Sequence, residues 1–240
     1  VLSCAMLFGI GNTMAYFTEN SVQTNVFTTG DLDIGLKEPD WDPNENDGKN
    51  MYPGYTVYKN PTVKNITSDK NGDEPCYVSV DILNSQGTPI TDDQALNLIY
   101  KTIYFDKTFT GGYDKKEGKA TGLIQDRIPG YNLAQLAAYP MVNPLWTKDT
   151  ARSTASKLVF NYMGAKGDGI LNIGEESTLF TNIAIPTDWN QTQMQKVGNY
   201  QLKVTAQAIQ SKGFATQSEA YRMLDEEIKG GTLQEIKRGS

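Results

Sequence analysis

The chain has 240 residues, a formal net charge of −6 and no histidine. Its 38% hydrophobic content, with 22 glycines and 13 tyrosines, is typical of one turn-rich sheet domain with a single core. The acidic balance argues against nucleic-acid binding. Without histidine, Ser-His-Asp and Cys-His catalysis and most zinc sites are excluded. We therefore expect no enzymatic activity, no cofactor and no metal.

The N-terminal segment 1–15 is apolar and uncharged. It is too short to span a bilayer and is typical of a secretory signal peptide remnant. Thr13 and Ala15 supply small residues at the −3 and −1 positions, which predicts cleavage between Ala15 and Tyr16. After cleavage no stable membrane span is expected. The other interpretation of this run is a buried first strand or helix, because short apolar runs are ambiguous.

The next segment, 16–29, has the composition of a separate strand. From Val22 onward it is polar, β-branched and aromatic, and no proline occurs before Pro39. Gly30-Asp31 is a turn signal, and apolar residues then alternate with polar ones or glycine through Leu36. The pattern predicts a strand that can move independently of the strand that follows.

Two cysteines occur, Cys4 and Cys76. Cys4 lies in the segment that we expect to be removed, so Cys76 becomes a lone thiol and no disulfide is predicted. An exported protein with almost no cysteine points to a Gram-positive or anaerobic source.

The remaining chain is predicted to be all-β, a jelly-roll β-sandwich over 30–212 with short helices in its loops. A C-terminal helix and tail follow over 213–240, where a Thr216-x-x-Glu219 capping box precedes an apolar stripe that we expect to dock on the sheet. The predicted strands are 55–66, 76–83, 101–105, 158–162, 178–185 and 200–209. The predicted helices are 92–98 and 131–139, and the predicted loops or turns are 37–53, 109–122, 143–156 and 164–174.

Several short motifs, in this order, resemble the TasA/camelysin family of biofilm-matrix fibre proteins. They begin with Gly11-Asn-Thr-Met-Ala-Tyr-Phe-Thr18 and Phe27-Thr-Thr-Gly-Asp-Leu-Asp-Ile34. Further matches are Pro53-Gly54, Val63-Lys64-Asn65, Tyr77-Val78-Ser79-Val80, Gly174-Glu175-Glu176 and Ala206-Gln207-Ala208-Ile209-Gln210. The last set is most similar to the clostridial BsaA-like branch. Residues 105–156 carry no motif of the family.

The resemblance implies a secreted structural subunit of an extracellular fibre in a Gram-positive biofilm matrix and on the cell surface. Its mature N-terminal strand, here 16–29, would leave its own jelly roll and complete the sheet of the next subunit, with Val22, Val26 and Phe27 as apolar anchors. The implied partners are further copies in a head-to-tail homopolymer and a SipW-type signal peptidase. A minor fibre subunit and matrix polysaccharide are further candidate partners.

Two other functions compete with a fibre subunit. A monomeric surface adhesin could use loops 37–53 and 106–122, with aromatic side chains from Trp41, Tyr104, Tyr113 and Trp146. A secreted protease of camelysin type is opposed by the missing histidine.

Two further kinds of chemistry have candidate residues. Lysine can condense with asparagine when burial lowers its pKa, and Asn20 and Asn25 are candidate crosslinking residues, although no pattern singles out a lysine. The acidic run 40–51 has oxygen ligands at alternate positions but lacks the Gly and Glu of a calcium loop, as 69–73 does. Both are interpreted as solvated turns, and bound Ca²⁺ is the less favoured alternative.

Overall fold

The computed structural model describes residues 25–28, 34–37, 51–66, 74–108, 113–114, 119–120, 130–209 and 214–229. Within these ranges the chain is mostly β-strand with a few short helices, which confirms the all-β class. The strands are β1 (Asn25–Thr28), β2 (Ile34–Lys37), β3 (Thr56–Tyr58), β4 (Thr62–Asn65), β5 (Glu74–Asn84), β6 (Ile103–Tyr104), β7 (Tyr113–Asp114), β8 (Lys119–Ala120), β9 (Trp146–Lys148), β10 (Lys157–Tyr162), β11 (Ile170–Leu171), β12 (Glu176–Thr178), β13 (Asn182–Ala184) and β14 (Tyr200–Ala208). The helices are α1 (Asp93–Tyr100), α2 (Leu133–Leu136), α3 (Gln191–Val197) and α4 (Gln217–Lys229).

The larger sheet has the strand order β1-β14-β5-β10-β9, and β11 also pairs with β5. Its centre is the long antiparallel pair of β5 and β14, in register from Tyr200 opposite Asn84 to Ala208 opposite Cys76. Strand β10 pairs antiparallel with the other edge of β5. Strand β1 differs from these, because it pairs parallel with β14.

The second layer is built from two long antiparallel segments, 56–65 and 176–184. Their outer parts form the ladders β4–β12 and β3–β13. Between the ladders, the Lys59 N–H donates to the Thr181 carbonyl at 3.0 Å and the Leu179 N–H to the Pro61 carbonyl at 2.9 Å. Strand β2 adds to β4, and β6 adds to β13.

One main core lies between the two layers. Alternate residues of the central strands point into it, since successive side chains of a strand face opposite sides. The large sheet contributes Val80, Ile82, Leu158, Phe160, Leu202, Val204, Ala206 and Ala208, and the second layer contributes Val57, Val63, Leu179 and Ile183. Helices α1 and α3 add Leu96, Ile99, Met194 and Val197 to the same cluster.

The outer face of the large sheet is covered by α4. The buried members of this second cluster are Tyr77, Val159, Ile209, Ala220, Tyr221 and Leu224. The predicted docking of the C-terminal helix is therefore confirmed. The Glu219 N–H donates to Thr216 Oγ1 at 3.2 Å, as predicted for the helix start, and the Glu219 carboxylate accepts from the Ala215 N–H at 3.1 Å.

The structure corrects several predictions. The strand predicted over 55–66 is divided between β3 and β4, and the turn region predicted over 164–174 contains the two-residue strand β11. The loop predicted over 143–156 contains β9, which has three residues and too little length for a periodic pattern. The strand predicted over 178–185 is divided between β12 and β13. It divides because Pro61 on the facing segment has no N–H to continue the ladder. Helix α3 was not predicted, although Asn190 and Gln193 form a capping box at its start.

Candidate functional site at the edge of the large sheet

Strand β1 lies at the edge of the large sheet and has only a short ladder. Its register runs from Asn25 opposite Thr205 to Thr28 opposite Ala208. It thus covers four residues of β14, which has nine. Among the described residues, no strand pairs with Tyr200–Val204 on that side of β14. A short parallel ladder at the terminal edge supplies few main-chain hydrogen bonds, and parallel pairing is slightly weaker per residue than antiparallel pairing.

The part of β14 that pairs with β1 is enclosed on both faces. Ala206 and Ala208 belong to the main core. On the opposite face, Thr205 is only 5% exposed and Gln207 only 8%. Ile209, just beyond the strand, packs in the cluster beneath α4. We call this stretch of β14, residues 205–208, the β14 slot, because it is the edge with which β1 pairs.

Of the site residues predicted from the sequence, the structure describes only those from residue 25 onward. Ala15, Tyr16, Asn20 and Val22 lie outside the described residues. The others form the backbone of β1, where Asn25, Val26 and Phe27 are placed opposite Thr205, Ala206 and Gln207. The segment predicted as a donor strand is thus seen in part, and that part pairs with its own chain.

A cluster around Arg152 fixes α4 over the sheet beside this edge. The Arg152 guanidinium lies 3.7 Å from the centroid of the Tyr77 ring. Its Nη2 and Nε donate to the two carboxylate oxygens of Asp225 in α4 at 2.7 and 2.8 Å. Tyr77 is opposite Gln207 of β14, so this cluster, which we call the Arg152 clamp, lies one strand away from the β14 slot.

Tyr77 also takes part in the Arg152 clamp through its hydroxyl group. Its hydroxyl donates to Asp225 Oδ1 at 2.7 Å. Burial raises the pKa of Tyr77 far above its ordinary value, against the opposing effect of Arg152, so this hydroxyl stays protonated. The sequence offered no signal for this cluster, because Arg152, Tyr77 and Asp225 come from three distant segments.

The aromatic residues considered for an adhesin are not an exposed set. Trp146 is buried, and its Nε1–H donates to Ser177 Oγ at 2.9 Å. Tyr104 is buried in a tyrosine cluster with Tyr131 and Tyr139. Trp41 and the side chain of Tyr113 lie outside what the structure describes. The prediction that Tyr104 and Trp146 could engage a ligand from exposed loops was wrong, because both side chains pack inside the protein.

The described ranges contain few side chains that could bind a metal ion or form a crosslink. No three His, Cys, Asp or Glu side chains come together there as a group able to hold a metal ion. The acidic run 40–51, apart from Met51, and all of 69–73 lie outside these ranges. Lys59, between β3 and β4, is a buried lysine with 0% exposure. The crosslinking role of Asn20 and Asn25 stays a prediction.

Comparison with known proteins yields no relative from which a function could be transferred. No family model, no curated protein and no solved structure matches the chain significantly. The likeness to the TasA/camelysin family therefore depends on the quoted motifs alone. In the described ranges, no helix combines the length and apolar character needed to cross a membrane.

Proposed function

We propose that this protein is a secreted structural subunit of an extracellular biofilm-matrix fibre, with a jelly-roll β-sandwich as its body. Subunits join head to tail by donor-strand exchange, in which the N-terminal strand 16–29 of one copy completes the sheet of the next. One observation carries the proposal. The part of this strand that is described is a short, parallel edge strand, attached at the margin of an otherwise antiparallel sheet.

The physics of such a joint is β-augmentation. Main-chain hydrogen bonds along a sheet edge supply affinity, and alternate side chains fill pockets on the acceptor. Val22, Val26 and Phe27 are the apolar anchors that this proposal assigns. Residues 16–30 contain no lysine or proline, the residues that usually protect an edge from pairing. A head-to-tail contact of this kind does not close on itself, so it propagates a filament.

Maturation and location follow from the proposal. A SipW-type signal peptidase cuts between Ala15 and Tyr16 and frees the N-terminus for donation outside the cell. The mature chain then belongs to the biofilm matrix and cell surface, where a minor fibre subunit and matrix polysaccharide are its further partners.

Condensation of Asn20 or Asn25 with a lysine would release ammonia and so lower the mass of a pair of fibre subunits by about 17 Da. Mass spectrometry of denatured fibres can detect this loss.

Electron microscopy of three purified chains tests the proposal. Residues 16–240 carry the strand, residues 30–240 lack it, and residues 1–240 have it blocked behind the segment 1–15. We expect filaments from 16–240 only. Circular dichroism and urea unfolding of 30–240 provide the control that its sheet is intact. Filaments from a folded 30–240, or none from 16–240 under any assembly condition, contradict the proposal.

A further inference from the structure

We infer that Tyr131 and Tyr139 form a site of oxidative modification, at which a one-electron oxidant joins the two rings into an intramolecular dityrosine. The oxidant that we assign is hydrogen peroxide activated by a haem peroxidase. This site goes beyond the proposed function, because the same two residues react whether the chain is single or part of a fibre.

The two tyrosine side chains lie in contact. Their ring centroids are 5.7 Å apart, and the ring planes are tilted by 49°. The Tyr139 hydroxyl donates to the Tyr131 hydroxyl oxygen at 3.4 Å. Since the carbons that couple in a dityrosine are ortho to these hydroxyl groups, the contact between the oxygens brings the reacting edges of both rings together. Such proximity favours reaction within the chain over collision with another chain.

Hydrogen bonds of the main chain hold both residues against the second layer. The Tyr131 carbonyl accepts from the Thr187 N–H at 2.9 Å. Directly after Tyr139, the Pro140 carbonyl accepts from the Phe105 N–H at 2.8 Å. Between these two attachments, α2 begins with a capping box. The backbone therefore keeps the two rings in a defined position relative to each other.

A third tyrosine, Tyr104, touches both rings but is placed differently. Tyr131 and Tyr139 are partly buried, whereas Tyr104 is only 3% exposed. Burial raises the pKa of Tyr104 far above its ordinary value, so this phenol holds its proton and has little water to receive it. We therefore expect Tyr139 to couple with Tyr131, although its ring centroid is nearer to that of Tyr104, at 5.1 Å.

The reaction removes one hydrogen atom from each tyrosine. The hydrogen bond to Tyr131, together with burial, raises the pKa of Tyr139 to about 12, so this phenol is neutral before it is oxidised. The O–O bond of hydrogen peroxide breaks and takes up two electrons and two protons, one of each per phenol, to give two molecules of water. The two ring radicals then form one carbon–carbon bond between ortho positions, and the ortho hydrogens return to the oxygens through water.

A second tyrosine pair allows geometry and exposure to be separated. Tyr52 and Tyr55 have ring centroids 5.4 Å apart, but their planes meet at 65°, with the edge of one ring towards the face of the other. This arrangement does not place the two hydroxyl edges side by side. Tyr52 is 62% exposed and is therefore more accessible to an oxidant than Tyr131 or Tyr139. If exposure decides which tyrosines couple, the Tyr52–Tyr55 pair reacts first.

Peptide mapping tests the inference on the full chain, oxidised at low protein concentration with a haem peroxidase and hydrogen peroxide. Trypsin leaves Tyr131 and Tyr139 together in peptide 128–148, and the comparison pair in peptide 51–59. In the monomer on a denaturing gel, we expect dityrosine fluorescence and a loss of about 2 Da in peptide 128–148, about tenfold more than in 51–59. The crosslink should also raise the urea midpoint, because a covalent bond within the chain restricts its unfolded state.

Two matched variants each remove one hydroxyl group from the same cluster. Tyr139→Phe should abolish the product in 128–148 and the rise in the urea midpoint, whereas Tyr104→Phe should keep both. Circular dichroism of each variant before oxidation checks that it is folded.

Several results would overturn the inference. Dityrosine found chiefly in 51–59, between two chains or between Tyr104 and Tyr139 contradicts it. The complete absence of dityrosine, while free tyrosine is coupled in a parallel mixture, contradicts it as well. These outcomes leave the proposed function unaffected, because filament formation is measured separately.

Discussion

At the scale of single residues, the Arg152 clamp shows how a polar cluster can fasten a helix to a sheet. The guanidinium is placed between a tyrosine ring and a carboxylate, and both charged side chains are mostly covered, with 19% of Arg152 and 31% of Asp225 exposed. Charge-assisted, bidentate hydrogen bonds of this type are stronger than neutral ones. The clamp therefore holds α4 in a fixed position over Tyr77.

The substitution Asp225→Asn should weaken this clamp. The asparagine side chain keeps the shape but removes the charge that faces Arg152, and we expect a loss of about 2 kcal/mol in the free energy of unfolding. The urea midpoint measures it. Glu226→Gln on the same helix is the matched control, since the Arg222–Glu226 pair is exposed and should contribute less than about 0.5 kcal/mol. Equal effects of the two substitutions would mean that the clamp has no special strength.

Asp81 and Asp92 should give opposite pH dependences of stability. Burial raises the pKa of Asp81 above its ordinary value, although Lys157 and Lys203 oppose the shift. The folded state then binds this proton more tightly than the unfolded state. Ionised Asp81 therefore opposes folding, and this unfavourable contribution grows as the pH rises from the ordinary pKa of about 4 through the raised pKa.

Hydrogen bonds from Lys196 and from the N–H of Ala95 lower the pKa of Asp92. The stabilising contribution of Asp92 is therefore present above about pH 4 and is lost in more acid solution.

The measurement is the urea midpoint of Asp81→Asn and Asp92→Asn relative to wild type, at several pH values from strongly acid to neutral. The Asp81→Asn variant should be more stable than wild type at neutral pH, and this difference should disappear in acid. The Asp92→Asn variant should be less stable than wild type at neutral pH, and this difference should also disappear in acid. Parallel curves for the two variants would contradict these pKa shifts.

At the scale of elements, α4 packs on the large sheet through the apolar side of the helix. It closes the outer face of the large sheet, and Leu224 at its centre is fully buried. Since Tyr77 of β5 and Val159 of β10 pack in the same cluster, the helix keeps that face from water. It also supports the β14 slot through Tyr77 and Ile209.

Leu224→Ala should lower the free energy of unfolding by about 3 kcal/mol, because truncation of a buried leucine removes apolar contacts and leaves a cavity. Met223→Ala is the comparison, since Met223 is only partly buried and should lose clearly less. Chemical denaturation followed by circular dichroism measures both. A loss at Leu224 no larger than that at Met223 would show that α4 contributes little to the core.

The elements also show what the sequence could and could not predict. Strand β14 and helix α4 were predicted because their apolar residues repeat with periods of two and about 3.6, which are local properties of the chain. Strand β9 was missed because its three residues become a strand only by pairing with β10. The parallel pairing of β1 with β14 was likewise beyond prediction, since it joins segments from the two ends of the chain and has no local signal. The Arg152 clamp depends on three such segments and was missed for the same reason.

At the scale of the whole molecule, the arrangement of the ends is the central feature. The strand nearest the N-terminus that is described borders the last strand of the sheet, and the C-terminal helix lies over the same sheet. The proposed fibre uses this arrangement directly, because the marginal strand β1 pairs with β14 alone, and β14 is also held by its long ladder with β5. Assembly and folding are then separable, since the core between the two layers has its partners within one chain.

The most direct test of strand donation is a capping experiment. Residues 30–240 can accept a strand from a neighbour but have none to give, so a copy that joins a growing filament should stop its growth at that end. We predict that adding 30–240 to assembling 16–240 shortens the filaments in proportion to its molar fraction, as measured by electron microscopy and sedimentation. Filaments whose length is the same with and without an equimolar amount of folded 30–240 would contradict the account.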